Sequence, residues 1–307
     1  MQKVYHLIAR VAITRDPVLI LGETGTGKEL VARAIHSKGP WGEQPFVPID
    51  CGALTPNLIE SEMFGHVRGA FTGATQNRQG LLAAAAEGTV FLDEIAELPV
   101  ELQSKLLRAL QEHEIKPLGS NARIPVKARI VAATNQDLAA AIKRGTFRKE
   151  LYFRLNVVSI KLPPLRERRE DIPGLVRFFL DKYNAKESGI TGVSDEVMTR
   201  LMSYDWPGNV RELENCIQRA LALGSPPQIR FVDLSTNLQY FLGQPRHDPR
   251  ALATLHELER RAILDALEVT KGDRLRAARL LCIGKTTIYR KLKEYGLEGV
   301  ADSPPSC

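Results

Sequence analysis

Apolar residues recur along this chain with two different periods, and the change from one to the other divides it. Val4, Leu7, Ile8 and Val11 fall at i, i+3, i+4 and i+7, which predicts an amphipathic opening helix. Short apolar runs follow at 17–21, 45–50, 89–92, 128–133 and 156–160, each the length of a buried strand. Helical patterns separate them, Leu98–Glu112 among these. Strand and helix in alternation predict a parallel sheet with helices on both faces. After Pro163-Pro164 the pattern is helical only. Ile172–Lys182, Asp195–Tyr204 and Val210–Leu223 predict a small three-helix bundle, broken by Ser225-Pro226-Pro227. Leu242 to Pro249, polar and with two prolines, reads as a linker, and from Ala251 the chain is helical again. The expected domains are an α/β core over 1–165, a helical domain over 166–241, a linker over 242–250 and a C-terminal all-α domain over 251–307.

The first apolar run leads into Gly22-Glu23-Thr24-Gly25-Thr26-Gly27-Lys28, then into a helical pattern with Leu30, Val31, Ala34 and Ile35. Strand, glycine-rich turn and helix together make the context of a phosphate-binding loop. Glycines let backbone N–H groups point inward at phosphate oxygens. The helix N-terminus adds a partial positive charge and Lys28 a full one. Glu29 stands where such loops usually carry a metal-binding Ser or Thr. Downstream, Thr89 to Glu94 is an apolar strand ending in two carboxylates. MgATP hydrolysis needs one carboxylate for the metal and one for the attacking water, so Asp93 is assigned to Mg²⁺ and Glu94 to the water. Alone, such a pair is more often a helix cap; the upstream loop favours catalysis.

Between these pieces lies Gly69-Ala70-Phe71-Thr72-Gly73-Ala74. Its small residues and two glycines predict a mobile loop. Phe71 either tucks into the core as part of a tight turn or is held out for a partner, and composition leaves both open.

Further motifs complete the pattern: Glu62-Met63-Phe64-Gly65-His66, Ala133-Thr134-Asn135, Phe147 to Leu155, Pro163-Pro164-Leu165-Arg166 and Trp206 to Leu213. In this order they resemble the AAA+ ATPase domain of bacterial enhancer-binding proteins, the NtrC-type activators of sigma-54 RNA polymerase. The resemblance runs from about residue 1 to Leu297. It implies a AAA+ P-loop αβα sandwich with a small helical lid, using ATP and Mg²⁺, and assembling from dimers into a hexameric or heptameric ring. It also implies that hydrolysis remodels the sigma-54 holoenzyme, with Gly69, Ala70, Phe71, Thr72, Gly73 and Ala74 as the contact. Gly22, Glu23, Thr24, Gly25, Thr26, Gly27, Lys28 and Glu29 would bind nucleotide. Asn135 would be the first sensor, its alternative being a cap for the helix starting at Asp137. Arg211 would be the second, reaching in from the lid. Arg148 and Arg154 would enter the neighbouring subunit's ATP site, where a planar guanidinium neutralises transition-state charge; ordinary surface ion pairs are the alternative. Asp50 departs from the family, which often has a switch Asn there, and an ionised Asp cannot donate a hydrogen bond. The family's lead-in before the first helix is longer than here, as in a trimmed chain.

Near the C-terminus, Ala277, Ala278, Leu280 and Leu281 make one apolar helix face, Cys282-Ile283-Gly284 breaks it, and Ile288 and Leu292 face inward from a second helix. This helix-turn-helix pattern resembles the Fis-type domain that ends these activators, although Cys282 stands where the family usually has Gly. Lys285, Thr286, Thr287 and Arg290, with Lys291, would meet the major groove of double-stranded enhancer DNA. Leu252, Leu255, Leu258, Ala262 and Leu267 predict a dimerising helix ahead of it.

Charge supports this placement. The chain's net charge is +6, and Lys271 to Tyr295 alone holds eight basic residues against Asp273 and Glu294, the same excess. The four cysteines form no Cys-x-x-Cys pair, so neither zinc nor a disulfide framework is indicated. No run of 18 apolar residues and no signal peptide is visible, which places the expected site of action in the bacterial cytoplasm, on the nucleoid and off the membrane. Competing functions are another DNA-associated AAA+ ATPase, of unfoldase or replication-initiator type, and a repressor that only binds ATP and DNA. The hexapeptide at 69–74 speaks against the first, the acids and arginines against the second.

Overall fold

The computed structural model describes residues 1–53, 55–183 and 189–239, then 259, 262–267, 270, 273–281 and 283–295. In chain order the first part runs α1 (Gln2–Ala12), β1 (Val18–Leu21), α2 (Lys28–Ser37), β2 (Phe46–Asp50), α3 (Pro56–Phe64), β3 (Gly65–His66), β4 (Arg78–Gln79) and α4 (Leu81–Ala84). It continues through β5 (Thr89–Asp93), α5 (Val100–Glu112), β6 (Glu114–Ile115), β7 (Ile124–Pro125), β8 (Arg129–Thr134), α6 (Leu138–Lys143), α7 (Lys149–Leu155) and β9 (Val158–Lys161).

All five apolar runs are strands of one parallel sheet, in the order β2-β5-β8-β1-β9. Side chains alternate across it as the pleat requires. Val90 and Leu92 of β5 pack with Ile59, Met63, Leu102, Leu106 and Leu151 on one face, and Phe91 packs with Val4, Ile8, Val31 and Ile35 on the other. Register sets where the strands end. Leu21 lies opposite Thr134, and Asp50 opposite Asp93, so the polar ends of β5 and β8 emerge on the edge where β1 turns into the glycine-rich loop. In parallel α/β sheets that carboxyl edge is where ligands bind.

A helical lid follows: α8 (Ile172–Tyr183), β10 (Gly192–Val193), α9 (Asp195–Ser203), α10 (Asn209–Leu223), β11 (Gln228–Ile229) and α11 (Thr236–Gln239). Its core gathers Val176, Phe179, Leu201, Trp206, Leu213 and Ile217. Trp206 is fully buried, and its indole N–H donates to Leu201 O at 2.8 Å, so burial leaves no polar group unpaired. The chain turns sharply here, with Trp206 and Asn209 both at positive φ (51° and 53°).

Met1–Phe241 and Leu242–Cys307 are separate compact units. In the second, Ile263, Ala266, Leu267, Ala277, Ala278, Ile288 and Leu292 form the core, with helices Arg274–Leu280 and Lys285–Glu294. Asp273 caps the first, accepting from Leu275 N and Arg276 N at 3.0 Å. The linker 242–250, Cys282, Leu297 and Leu252, Leu255 and Leu258 of the expected dimerising helix lie outside the described residues.

Candidate functional site

The loop after β1 reverses direction through Gly25 and Gly27 at φ +77° and +99°. The Lys28 ammonium is buried beneath it and donates to Gly22 O at 3.2 Å and Glu94 Oε1 at 3.3 Å. Two acceptors leave its third proton for a further oxygen. Across the cleft, Glu94 adopts a left-handed backbone at φ +48°, a conformation costing a non-glycine residue about 1–3 kcal/mol and common at functional sites. Its N–H donates to Asp93 Oδ1 at 3.0 Å, and its Oε2 accepts from Asn135 N at 3.2 Å. Asn135 Nδ2 donates to Thr24 Oγ1 at 2.9 Å, so its side chain touches the glycine-rich loop. Helix α6 is capped by Asp137 itself, which accepts from Ala139 N and Ala140 N at 2.8 and 3.1 Å; capping is not the role Asn135 plays. Burial pushes the Asp93 carboxyl above its usual range, and the Glu94 charge beside it adds to this.

Lys28, Asp93, Glu94 and Arg211 line one cleft of about 380 Å³ with Thr24, Gly25 and Gly27. A buried ammonium and a glycine turn suit a phosphate chain. Among the described residues no cluster of three or more His, Cys, Asp or Glu could cage a metal alone. That fits Mg²⁺, which binds through one or two carboxylates plus substrate phosphates and water. Asp93 and Glu94 are carboxylates that line the cleft.

The lid meets this loop directly. Asn209, fully buried, accepts from Leu165 N at 2.8 Å and donates to Thr24 O at 3.0 Å and Glu23 Oε2 at 3.2 Å. Arg166 grips the Glu23 carboxylate with both terminal nitrogens, at 2.8 and 2.6 Å. That guanidinium, then the Asn209 amide, holds the Glu23 carboxyl down at about 2. The side chain of Glu23, expected among the nucleotide-binding residues, faces the lid. The sequence carries no signal of this role at Arg166, Arg168 or Asn209, because nothing local pairs them with residues 23–26.

Glu29 also lines the Lys28 cleft and pairs with Arg33 at 2.9 Å one helical turn on. Other expected residues lie apart. Asp50 Oδ1 accepts from Gly52 N at 2.9 Å, beside Asp93 in register but with no hydrogen bond to Glu94 among the described contacts. Arg148 donates to Ser104 Oγ at 2.9 Å, and Arg154 to Leu110 O at 3.2 and 2.8 Å, both against α5; neither lines the Lys28 cleft of its own chain. The Gly69–Ala74 loop rises between β3 and β4 and closes on itself through Gly69 N to Ala74 O at 2.9 Å and Ala74 N to Phe71 O at 3.0 Å. Phe71 is 42% exposed, its ring edge-on to His66 at 5.0 Å, so it is not tucked into the core. In the C-terminal unit Lys285, Thr286 and Arg290 are exposed and Thr287 is half-buried. Lys291 pairs with Glu259 at 2.9 Å and Glu294 at 3.3 Å.

Comparison with known proteins gives three family matches: the sigma-54 interaction domain over residues 1–161, the AAA+ ATPase lid domain over 166–250, and the Fis family of bacterial regulatory proteins over 254–295. Regulatory protein AtoC of Escherichia coli is 45% identical, over 94% of this chain and 65% of its own length. Response regulator PilR of Pseudomonas aeruginosa is 43% identical, over 97% of this chain and 68% of its own. The chain therefore spans about two thirds of these curated relatives. Among solved structures, Brucella abortus NtrX in complex with ADP superposes with a TM-score of 0.74 at 32% identity, covering 96% of this chain and 68% of that one. Its complex with ATP gives 0.70 at the same identity, over 96% and 67%. Motif order, fold and these matches agree: the chain belongs to the sigma-54-dependent family of bacterial transcriptional regulators, with a AAA+ ATPase-type core, its lid and a Fis-type helix-turn-helix.

Proposed function

We propose that this chain is an ATP-hydrolysing activator that binds enhancer DNA through residues 251–307 and opens promoters by remodelling sigma-54 holoenzyme with its Gly69–Ala74 loop. The core (1–165) and lid (166–241) form the motor, and 242–250 links it to the DNA reader. The observation that carries this reading is the convergence of Lys28, Asp93, Glu94 and Arg211 on one cleft, in a chain that also holds an exposed Phe71 out on a glycine-flanked loop.

Lys28 and the N–H groups of the glycine turn bind the phosphate chain. Mg²⁺, held by Asp93, would offset phosphate charge. Phosphate oxygens compete with Glu94 for the Lys28 ammonium, which lies only 3.3 Å from that carboxylate. Glu94 is then released to take a proton from the attacking water. Asn135 bridges the loop and Glu94, so it senses whether a γ-phosphate is present. Arg211 meets the same phosphate from the lid, and Asp50 beside Asp93 acts as the switch position. Arg148 and Arg154 complete the cleft of the next subunit in a homo-oligomeric ring, hexameric or heptameric. ATP-driven motion of the loop is transmitted to sigma-54 through Phe71.

Transcription from a sigma-54 promoter in a purified system tests this: open complexes should require the chain, ATP and enhancer DNA together. Open complexes formed equally well with a non-hydrolysable ATP analogue would refute a hydrolytic motor.

A further inference from the structure

Three successive carbonyls of the glycine-rich loop are held by Arg168 and by the start of α10 in the lid. Thr24 O accepts from Asn209 Nδ2 at 3.0 Å, Gly25 O from Val210 N at 2.9 Å and Arg211 N at 3.3 Å, and Thr26 O from Arg168 Nη2 at 3.1 Å. A planar trans peptide points its C=O and the following N–H in opposite directions. Fixing the carbonyls of Thr24 and Thr26 therefore fixes the amides of Gly25 and Gly27, both of which line the cleft. The contact is tight enough to exclude any side chain at position 25, where a Cβ would stand 2.2 Å from Gly208 O. Glu23 closes the arrangement by accepting both Arg166 nitrogens and the Asn209 amide. Arg168 is buried, and its Nε has no partner among the described residues, so its one good hydrogen bond is the one to the loop.

We propose that Glu23, Arg166, Arg168 and Asn209 form a latch through which the lid sets the direction of the phosphate-binding amides. They are positioning residues for nucleoside di- and triphosphates, and Glu23 is a lid anchor, not a nucleotide ligand. This rests on the reading of the Lys28 cleft as the nucleotide site. Because the latch contacts loop atoms that bind no phosphate, it acts on affinity and leaves the chemical step to Asp93 and Glu94. By linkage, nucleotide that tightens the loop must tighten lid docking by the same factor.

The test uses the full chain and a fluorescent ADP analogue, with Glu23→Gln, Arg166→Gln, the double variant and Lys28→Ala. Each latch substitution should weaken ADP about three- to tenfold, the range for a bidentate but half-exposed ion pair. The double variant should be no weaker than the poorer single one, because the two side chains act as one unit. KM for ATP should rise in parallel, and kcat at saturating ATP should stay within about twofold. Arg166→Lys, which keeps the charge but loses the fork, should fall between wild type and Arg166→Gln. Unchanged ADP affinity in the single variants, or losses that multiply in the double, would overturn the latch. Lys28→Ala reports separately: if it binds ADP as well as wild type, the cleft itself has been misread.

Discussion

Glu94 is engaged on both oxygens at once, by the Lys28 ammonium at 3.3 Å and the Asn135 backbone N–H at 3.2 Å. A Gln there keeps one acceptor but cannot take up a proton. Glu94→Gln is therefore expected to bind ATP within a few-fold of wild type and to hydrolyse it about 10²–10⁴-fold more slowly, the usual loss for a general base. Single-turnover hydrolysis checks it, and a normal rate would move the base elsewhere. Glu23 gives a pH expectation with a definite sign. Its folded carboxyl is held down at about 2 from an ordinary 4.5, so its stabilisation is present above 4.5 and is lost only as pH falls through the interval to 2. The stability difference between wild type and Glu23→Gln should thus be flat from about pH 5 to 8. In denaturant titrations that difference should shrink as pH falls from about 5 towards 2, and a difference that stayed constant through that interval would show that the Arg166 contact does not hold the Glu23 carboxyl down. The acids and Lys28 were legible as chemistry because each sits at a strand end or loop of recognisable pattern. The Glu23–Arg166 pair was not, since its partners are 143 residues apart and no local period links them.

At the scale of elements, legibility followed length. The strands β1, β5 and β8 were found in the sequence because three to six consecutive residues bury together, whereas the edge strands β2 and β9 bury only Ile49 and Ile160. The hairpins β3–β4 and β6–β7 were not, because two-residue strands carry no period and are fixed by distant partners, such as Val67 N on Leu118 O at 3.0 Å. That hairpin geometry decides what the Gly69–Ala74 loop can do. Gly69 and Gly73, at φ +83° and +102°, have open space where a Cβ would stand, although Ala70 lies close to Gly119 and Ala74 is buried. Phe71 loses one edge contact with His66 when truncated, not a core site. Phe71→Ala should therefore destabilise by under about 1 kcal/mol, against the 3–5 kcal/mol of a buried Phe. The same variant should keep ATPase activity and DNA binding within a few-fold while losing capture of sigma-54 in the presence of a hydrolysis transition-state mimic. Calorimetry and capture on one preparation separate the two roles; a strongly destabilised variant that still activated transcription would end the contact-loop reading.

On the scale of the whole molecule, the two compact units imply separable activities. Removing 251–307 should abolish site-specific DNA binding and leave ATPase activity at high protein concentration, and footprints surviving that truncation would relocate the DNA reader. Hydrolysis, by contrast, should not be a property of a single chain. The cleft holds Lys28, Asp93, Glu94 and Arg211, whereas Arg148 and Arg154 lie against α5 and line no part of it. An arginine supplied in trans accelerates related phosphoryl transfers by about 10³–10⁵. Specific activity should consequently rise with protein concentration. Mixing two inactive variants makes the sharper measurement. Glu94→Gln retains its arginines but has a dead cleft; Arg148→Ala/Arg154→Ala retains a sound cleft but has no arginines to lend. Neither should hydrolyse ATP appreciably alone. Combined at ring-forming concentration they should recover activity, because junctions then occur in which a sound cleft faces intact arginines. Recovery cannot arise if the arginines act within their own chain, since every subunit in the mixture lacks one half of the site. A mixture as inactive as its components, under conditions where both variants are shown to co-assemble, would assign Arg148 and Arg154 to the packing of α5 and nothing more.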